Sequence, residues 1–476
     1  MSAKRKTSSW VFRKAERHLF GIVAVALSAG FLTLFLKRLP PDAGLNLTTI
    51  QALAPLACCL AAMAIVHTCL VLSGSRSNPL LLPAVFLLSG LGVMLRYRFG
   101  LAFDVTSLSV LAYPVGLLVL LGAAILFKGN GYRILARMGG LSWLLSVLLM
   151  GALLLLGTRF RGAVFASGNL TPTELLKPLM VVFIAAWLAP HVKSVQRNRA
   201  LVPEQGLGRF VLAWGLLMVL LAVQRDLGMM LMLNATLLMM IYAASANVNA
   251  LITGAALVGV AGIAAYFVPH VQTRFVAWIA PWTEPTGSGW QILQALSALY
   301  SGGLLGSGFG EGQPQAIPVA SSDFIYAALG EELGYIGCGL IILCYLLLWR
   351  ECFIIAGSRK EPFARILAIG LVSVMAIQTV LNIGGVTKAL PVTGVPLPFI
   401  SHGGSNFIVA MLCIGLLLAL SDDAAAKAPV MAQKTKKRRT KSRRPARKKK
   451  PKRKPSKPAP KGRSRKKPTA KKRKRS

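Results

Sequence analysis

Hydrophobic residues in this chain fall in long unbroken runs separated by short polar breaks. A helix that crosses a bilayer needs ~20 mainly apolar residues. Runs near that length lie at Leu19–Leu36, Ile50–Leu72, Pro79–Leu95, Leu108–Phe127, Leu141–Leu156 and Leu175–Ala189. Six more lie at Phe210–Val223, Gly228–Ala244, Ala250–Val268, Ile325–Trp349, Phe363–Ile383 and Phe407–Leu420. Lipid cannot hydrogen-bond an open backbone, so such runs cross it as helices. The pattern therefore predicts an all-α transmembrane bundle of about twelve spans. The longest break, about 270–324, is predicted as one large loop, and no soluble domain is evident. No small-residue cleavage pattern follows the first run, so it is expected to stay as a span rather than leave as a signal peptide.

Composition narrows the class. A chain that is 54% hydrophobic and only 15% charged is not an ordinary soluble protein of 476 residues. The net charge of +40 is unevenly placed: Lys427–Ser476 holds 27 Lys or Arg, several prolines and no acid. Such a segment cannot bury a core and is expected to be disordered. It is suited to an anionic membrane surface or an acidic cytoplasmic partner. Nothing in it could read a nucleic-acid sequence, so any phosphate contact would be non-specific. Lys and Arg near the span ends favour a cytoplasmic N-terminus, an even number of crossings and a cytoplasmic tail. The expected organisation is a basic N-terminus (1–18), a two-span extension (19–78), a membrane core (79–423) and the basic tail (424–476). The seven cysteines lie in or beside apolar runs, with neither zinc-ligand spacing nor a disulfide framework.

Two polar, Gly/Pro-rich segments interrupt this pattern: Ser321–Gly337 and Pro391–Asn406. Broken backbone persists at membrane depth only when buried in protein or lining a wet cavity. On the expected topology both segments lie at the outer face. Asp323 stands where a loop enters a helix. It is either a helix-start anion or a general base whose pKa rises through partial desolvation. Glu331 and Glu332 follow on the same predicted helix, Glu331 about 80° around it from Asp323 and Glu332 on the opposite side. They are packing carboxylates or functional ones. Glu174 and Lys177, three apart at a helix start, form an internal ion pair, or else Lys177 meets a phosphate with help from Arg159 or Arg161. Gln224–Gly228, carrying Asp226, is a packing network or an ion relay. In Pro391–Asn406, Gly394, Gly403 and Gly404 permit tight turns, and Pro391, Pro396 and Pro398 stiffen the chain. Ser401 and His402 have no acid partner in the sequence, so this loop is a shaped wall rather than a nucleophile.

These segments resemble the SEDS family (shape, elongation, division and sporulation), the FtsW/RodA proteins. The stretch PVTGVPLPFISHGGSN, Pro391–Asn406, is similar to the family signature PVTGIPLPFISYGGSS. Ser322–Ile325 followed by Gly330–Gly334 resembles the motif around the family's essential aspartate. Ser301–Gly308 resembles its Gly-rich segment, Pro172–Lys177 its Pro-Ser-Glu-x-x-Lys motif, and Gln224–Gly228 its Gln-Pro-Asp-Leu-Gly motif. His402 stands where the family has Tyr, Asn406 where it has Ser, Arg225 where it has Pro, and Ser322 where it has Thr.

The resemblance implies a ten-span core beginning near Pro79, with two preceding spans as an extension. It implies a peptidoglycan glycosyltransferase that polymerises lipid II at the outer face of the cytoplasmic membrane. Asp323 would be the base for the acceptor hydroxyl. Lys177, Arg159, Arg161 and Arg274 would meet the departing pyrophosphate, with Mg²⁺ or Mn²⁺ as a candidate bridging cation. Glu174, Ser401, His402, Gly403 and Gly404 would line the substrate site. Gln224, Asp226, Glu331, Glu332, Pro396 and Pro398 would have accessory roles. A groove between spans would hold the undecaprenyl chain, and the implied partner is a class B penicillin-binding protein. The alternative reading is a lipid II flippase.

Overall fold

The computed structural model describes residues 11, 13–38, 52–100, 108–160, 163–165, 171–198 and 206–422. The basic tail, its expected disorder and its expected ligands lie outside the described residues. So does Arg161.

Twelve helices occupy the twelve apolar runs. They are α1 (Lys14–Arg38), α2 (Ala54–Leu72), α3 (Leu81–Arg98), α4 (Leu108–Leu126), α5 (Gly139–Leu156) and α6 (Leu176–Leu188). There follow α7 (Leu207–Val223), α8 (Leu227–Ser245), α9 (Val248–Tyr266), α10 (Ile325–Ser358), α11 (Pro362–Val386) and α12 (Gly404–Asp422). Eight are long and apolar enough to cross a membrane, and α4, α5, α7 and α9 have shorter apolar cores. The chain is a multi-pass membrane protein. A two-stranded antiparallel hairpin, Thr158–Phe160 with Ala163–Phe165, joins α5 to the turn before α6.

The helices are not equivalent. α12 and α11 are the most enclosed, with 83% and 72% of their apolar windows buried against 33% for α1. α11 packs against α6, α8 and α10. Gly370 makes the first two contacts close, since a Cβ there would come within 2.6 Å of Val181 and 2.7 Å of Met240. Small residues at crossings are how membrane helices gain packing without a hydrophobic driving force. α12 lies against α4, where a Cβ at Gly415 would reach 2.5 Å from the Leu120 carbonyl. α1 packs on α3, with Phe20 edge-on to Phe86 at 5.6 Å.

The structure departs from expectation in two places. The segment expected as one large loop contains two helices, Pro269–Ile279 and Trp290–Gly302. The first is amphipathic and starts with proline at its first turn, a helix-start signal. And α10 is broken: Gly334 has φ 68° and ψ −175° within it. The open helical bonds are closed from outside, because Tyr335 N donates to Gly303 O (2.9 Å) and Ile336 N to Leu304 O (3.1 Å). Ser307 N and Gly308 N in turn donate to Glu331 O and Glu332 O. Two backbones cross in contact here. A Cβ at Gly306 would strike the Glu332 carbonyl, which explains why both crossing segments are rich in glycine.

Candidate functional site

At one end of the bundle the loop before α10 and the loop before α12 are stitched together. His402 N donates to Ser321 O (2.8 Å), and the Ser401 hydroxyl donates to Ser322 O (2.6 Å) while accepting from Leu397 N (2.7 Å). Asn382, on α11, donates both to Asp323 O (2.9 Å) and to Val395 O (2.8 Å). The Asp323 backbone is thus held from two sides, and its carboxylate is half-buried, 3.2 Å from the Ser322 hydroxyl. It lines a cleft of about 10 Å³ with Asn382, Gly385, Thr393 and Gly394 among others. That is room for about one water. Gly394 has φ +73°, and a Cβ on it would lie 3.8 Å from Asp323 Oδ2.

A second layer supports this one. Glu174, in the 3₁₀ turn Pro172–Leu175, and Lys177, at the start of α6, form an ion pair and are only 6% and 2% exposed. Lys177 Nζ also donates to Gln378 Oε1 (2.7 Å) and approaches Asn406 Oδ1 (3.4 Å). Gln378 passes the link on, donating to Pro396 O (2.7 Å) and Asn406 Oδ1 (2.8 Å). The ammonium's donors therefore end on protein groups in this conformation, which ties α6 to α11 and to the loop ahead of α12. Thr171 N donates to Ser405 Oγ (3.0 Å) and closes the same corner. Pro398 accepts from the Tyr345 hydroxyl of α10.

Asp226 caps α8, accepting from Met229 N at 3.0 Å. Burial pushes its carboxyl above the usual carboxylate range, against that amide bond; Glu174, Lys177 and Arg274 are its charged neighbours. Gln224 is 2% exposed. Arg225 has φ 61°, a left-handed value that proline's ring cannot reach. The turn before α8 is therefore built differently here from one with the family's proline. Gly228 sits directly under Thr393, where a Cβ would lie 2.7 Å from its carbonyl. Arg274, on the amphipathic helix, donates to Thr393 O (3.2 Å), and Trp278 of the same helix donates to Lys388 O (3.0 Å).

Backbone strain gathers at this end. The non-glycine residues with positive φ among those described are Arg225, Ala246, Val319, Lys388 and Phe399. All but Ala246 lie in the segments just described, and such strain persists where surrounding structure over-determines it.

The structure separates Glu331 from the cleft, correcting its helical-wheel placement nearer Asp323, and Glu332 lies away from the cleft as the wheel had it. Asp323 precedes α10 rather than lying on it. Glu331 accepts from Gln313 N (2.8 Å), while Glu332, 1% exposed, accepts from Arg98 Nε (2.9 Å) and Gly310 N (3.1 Å). Arg159 lies on the first hairpin strand. His402 is half-buried, and burial followed by the charge of Arg96 pushes its imidazole down to about 4. Sequence reasoning missed Gln378, Asn382 and Arg96. The legible signal for the first two was a polar pair four apart on one face of an otherwise apolar helix.

Comparison with known proteins identifies the family. The profile of the FtsW/RodA/SpoVE family, described as cell cycle proteins, matches residues 77–426. The peptidoglycan glycosyltransferase RodA of Mycobacterium bovis is 31% identical over 376 residues, covering 73% of this chain and 78% of that protein. Stage V sporulation protein E of Bacillus subtilis is 35% identical over 259 residues, covering 53% and 69%. Among solved structures, a peptidoglycan synthase complex studied for coordination of polymerization and crosslinking has the same fold. Its TM-score is 0.58 at 23% identity, covering 73% of this chain and 98% of that one. An Asp-to-Ala mutant of the rod shape determining protein RodA of Thermus thermophilus gives 0.51 at 22%, with the same coverage.

Proposed function

Because this chain belongs to the FtsW/RodA/SpoVE family and is a peptidoglycan glycosyltransferase, we propose that it polymerises lipid II with Asp323 as the general base. The observation that carries this is the clamp on Asp323. Asn382 holds its carbonyl and Ser401 and His402 hold the two residues before it, so the carboxylate is set at a half-buried cleft mouth. Holding a base in place lowers the entropic part of the barrier, and proton transfer to a positioned base is worth ~10²–10⁴ in rate. The acceptor hydroxyl would approach from the cleft side, between Asp323 and Gly394.

The departing lipid pyrophosphate needs cationic groups. Arg274, bordering the cleft at Thr393, and Arg159 and Arg161 are assigned that role. Lys177 and Glu174 act one step back, by holding Asn406 and Pro396 in place. Gly403 and Gly404 shape the wall beside Ser401. Among the described residues no cluster of three metal-ligating side chains exists. A divalent cation, where the reaction uses one, would be held by the Asp323 carboxylate. It would neutralise charge on the leaving group.

This reading places the Asp323 end outside the cytoplasmic membrane and both termini inside, following the Lys/Arg bias. A class B penicillin-binding protein would cross-link the strands, and the basic tail would meet anionic lipid or an acidic partner. The test is purified protein, alone and with its transpeptidase, given labelled lipid II and Mg²⁺ or Mn²⁺ with penicillin present. Glycan ladders that disappear in Asp323→Ala are the expected result. Ladders that survive the substitution would remove Asp323 from the mechanism. A folded complex that makes none would point to lipid translocation instead.

A further inference from the structure

An apolar groove of about 540 Å³ lies between α2, α3, α4 and the loop that leads into α12. Its α2 wall runs from Pro55 to Val66, about 16 Å at 1.5 Å per residue. That covers roughly half the ~30 Å hydrocarbon core. The mouth is open between Ile65 on α2 and Leu118 on α4, which are 57% and 69% exposed. The back is closed by Phe407, on whose ring Tyr113 stacks at 5.2 Å. One end is different: Arg96 lines it, beside Ser401 and Gly403. That end is the Asp323 end, since the same Ser401 hydroxyl bonds Ser322 O next to Asp323.

α2 precedes the family-matched residues 77–426, so one wall of this groove comes from the chain's own extension. We propose that α2 is a substrate-binding element, and that the groove between α2 and α4 holds the polyprenyl chain of the lipid-linked substrate. The inference rests on the lipid II reading above. Its arguments are continuity and charge. The groove is apolar along its length, it meets a cation where it reaches the catalytic loops, and a polyprenyl diphosphate carries its anionic group at the end of its chain. One residue, Ser401, borders both the chain's groove and the turn that holds the base. The extension would thus take part in binding rather than serve only as a membrane anchor.

The test uses the full chain in nanodiscs and a C55 polyprenyl phosphate bearing a diazirine near its phosphate-proximal units. Adducts on the α2 and α4 peptides facing the groove are expected. Unlabelled polyprenyl phosphate should compete them away, and an equal amount of phosphatidylglycerol should not. Ala62→Trp, which fills the groove from α2, should cut labelling about tenfold, the equivalent of losing roughly two buried methylene groups. Ile65→Trp at the exposed mouth, where folding is not at risk, should cut it in the same direction. Adducts elsewhere, equal competition by phosphatidylglycerol, or labelling untouched by both substitutions would overturn the proposal. The readout needs no turnover, so labelling without glycan ladders sinks the polymerase reading alone, and ladders without groove labelling sink this one alone.

Discussion

The two ends of the bundle are held by different means. At the Asp323 end, segments from distant parts of the chain bond largely through backbone groups, several residues sit in left-handed conformations, and polar side chains bridge loops. At the opposite end, turns are closed mainly by side chains and ion pairs. Asp422 accepts from Arg76 N at 2.8 Å and pairs with Lys128 at 3.1 Å. Asn78 donates to Glu351 at 3.0 Å, Arg359 donates to Leu420 O at 2.7 Å, and Tyr132 donates to Glu361. Each end also buries an ion pair. Glu174–Lys177 joins α6 to the loops of the site. Arg13–Glu16, both fully buried, ties α1 to Ser75 and to His67 of α2 at 2.7 Å. The contrast teaches that burying a charge pair does not reveal its purpose, because what the pair is bonded to decides what fails when it breaks.

The comparison can be broken most severely at Asp323, the proposed base. Asp323→Asn keeps the shape and removes the proton acceptor, so polymerisation of labelled lipid II should fall ~10²–10⁴-fold with the melting temperature unchanged. A parallel loss of thermal stability would mean that Asp323 is only a turn anchor. Next come the two ion pairs. Lys177→Ala strands the buried Glu174 carboxylate and should cost about 3–5 kcal/mol of stability in detergent, and Arg13→Ala, which leaves Glu16 its contact with His67, should cost less. Only the first should also lower turnover in the surviving folded fraction, because only Lys177 holds Asn406 and Gln378. Equal catalytic losses would erase the distinction drawn between the two ends.

His402 gives a pH test. Its folded-state pKa, pushed down to about 4, lies below the ~6.5 of an unperturbed imidazole. Below ~6.5 the unfolded chain binds the proton more readily, so the stability from neutral His402 is full above that pH and is lost as pH falls towards about 4. Melting temperatures measured across this window should decline in the wild type and decline less in His402→Tyr. The smallest effect is expected at Arg225. Its φ of 61° carries a side-chain penalty of ~1–2 kcal/mol that glycine lacks, so Arg225→Gly should raise stability slightly. Arg225→Pro should lower it, since the ring fixes φ near −65°.

Much of the fold was legible because hydrocarbon imposes a strict rule. A backbone that cannot bond to water must bond to itself, so run length translates directly into helices. That is why Pro79–Leu95 and α3, or Phe363–Ile383 and α11, agree to within a few residues. The rule weakens outside the long apolar runs, where the amphipathic helix Pro269–Ile279 lay hidden in an expected loop. It also fails inside α10, where bonds to the Gly303 and Leu304 carbonyls make a helix break tolerable.

Order and spacing of polar motifs, set against apolar runs, determined by themselves the class of molecule and the helical bundle, and brought out Asp323 as a candidate residue. Tertiary structure alone decided the company each residue keeps. Asn382 gained its role by facing two carbonyls at once, Glu332 was drawn to Arg98 rather than to the cleft, and Lys177 was enclosed with three oxygen partners. The reason is distance along the chain. A helical period relates residues a few positions apart, whereas Asp323 and Asn382, or Lys177 and Asn406, meet only after whole spans have packed.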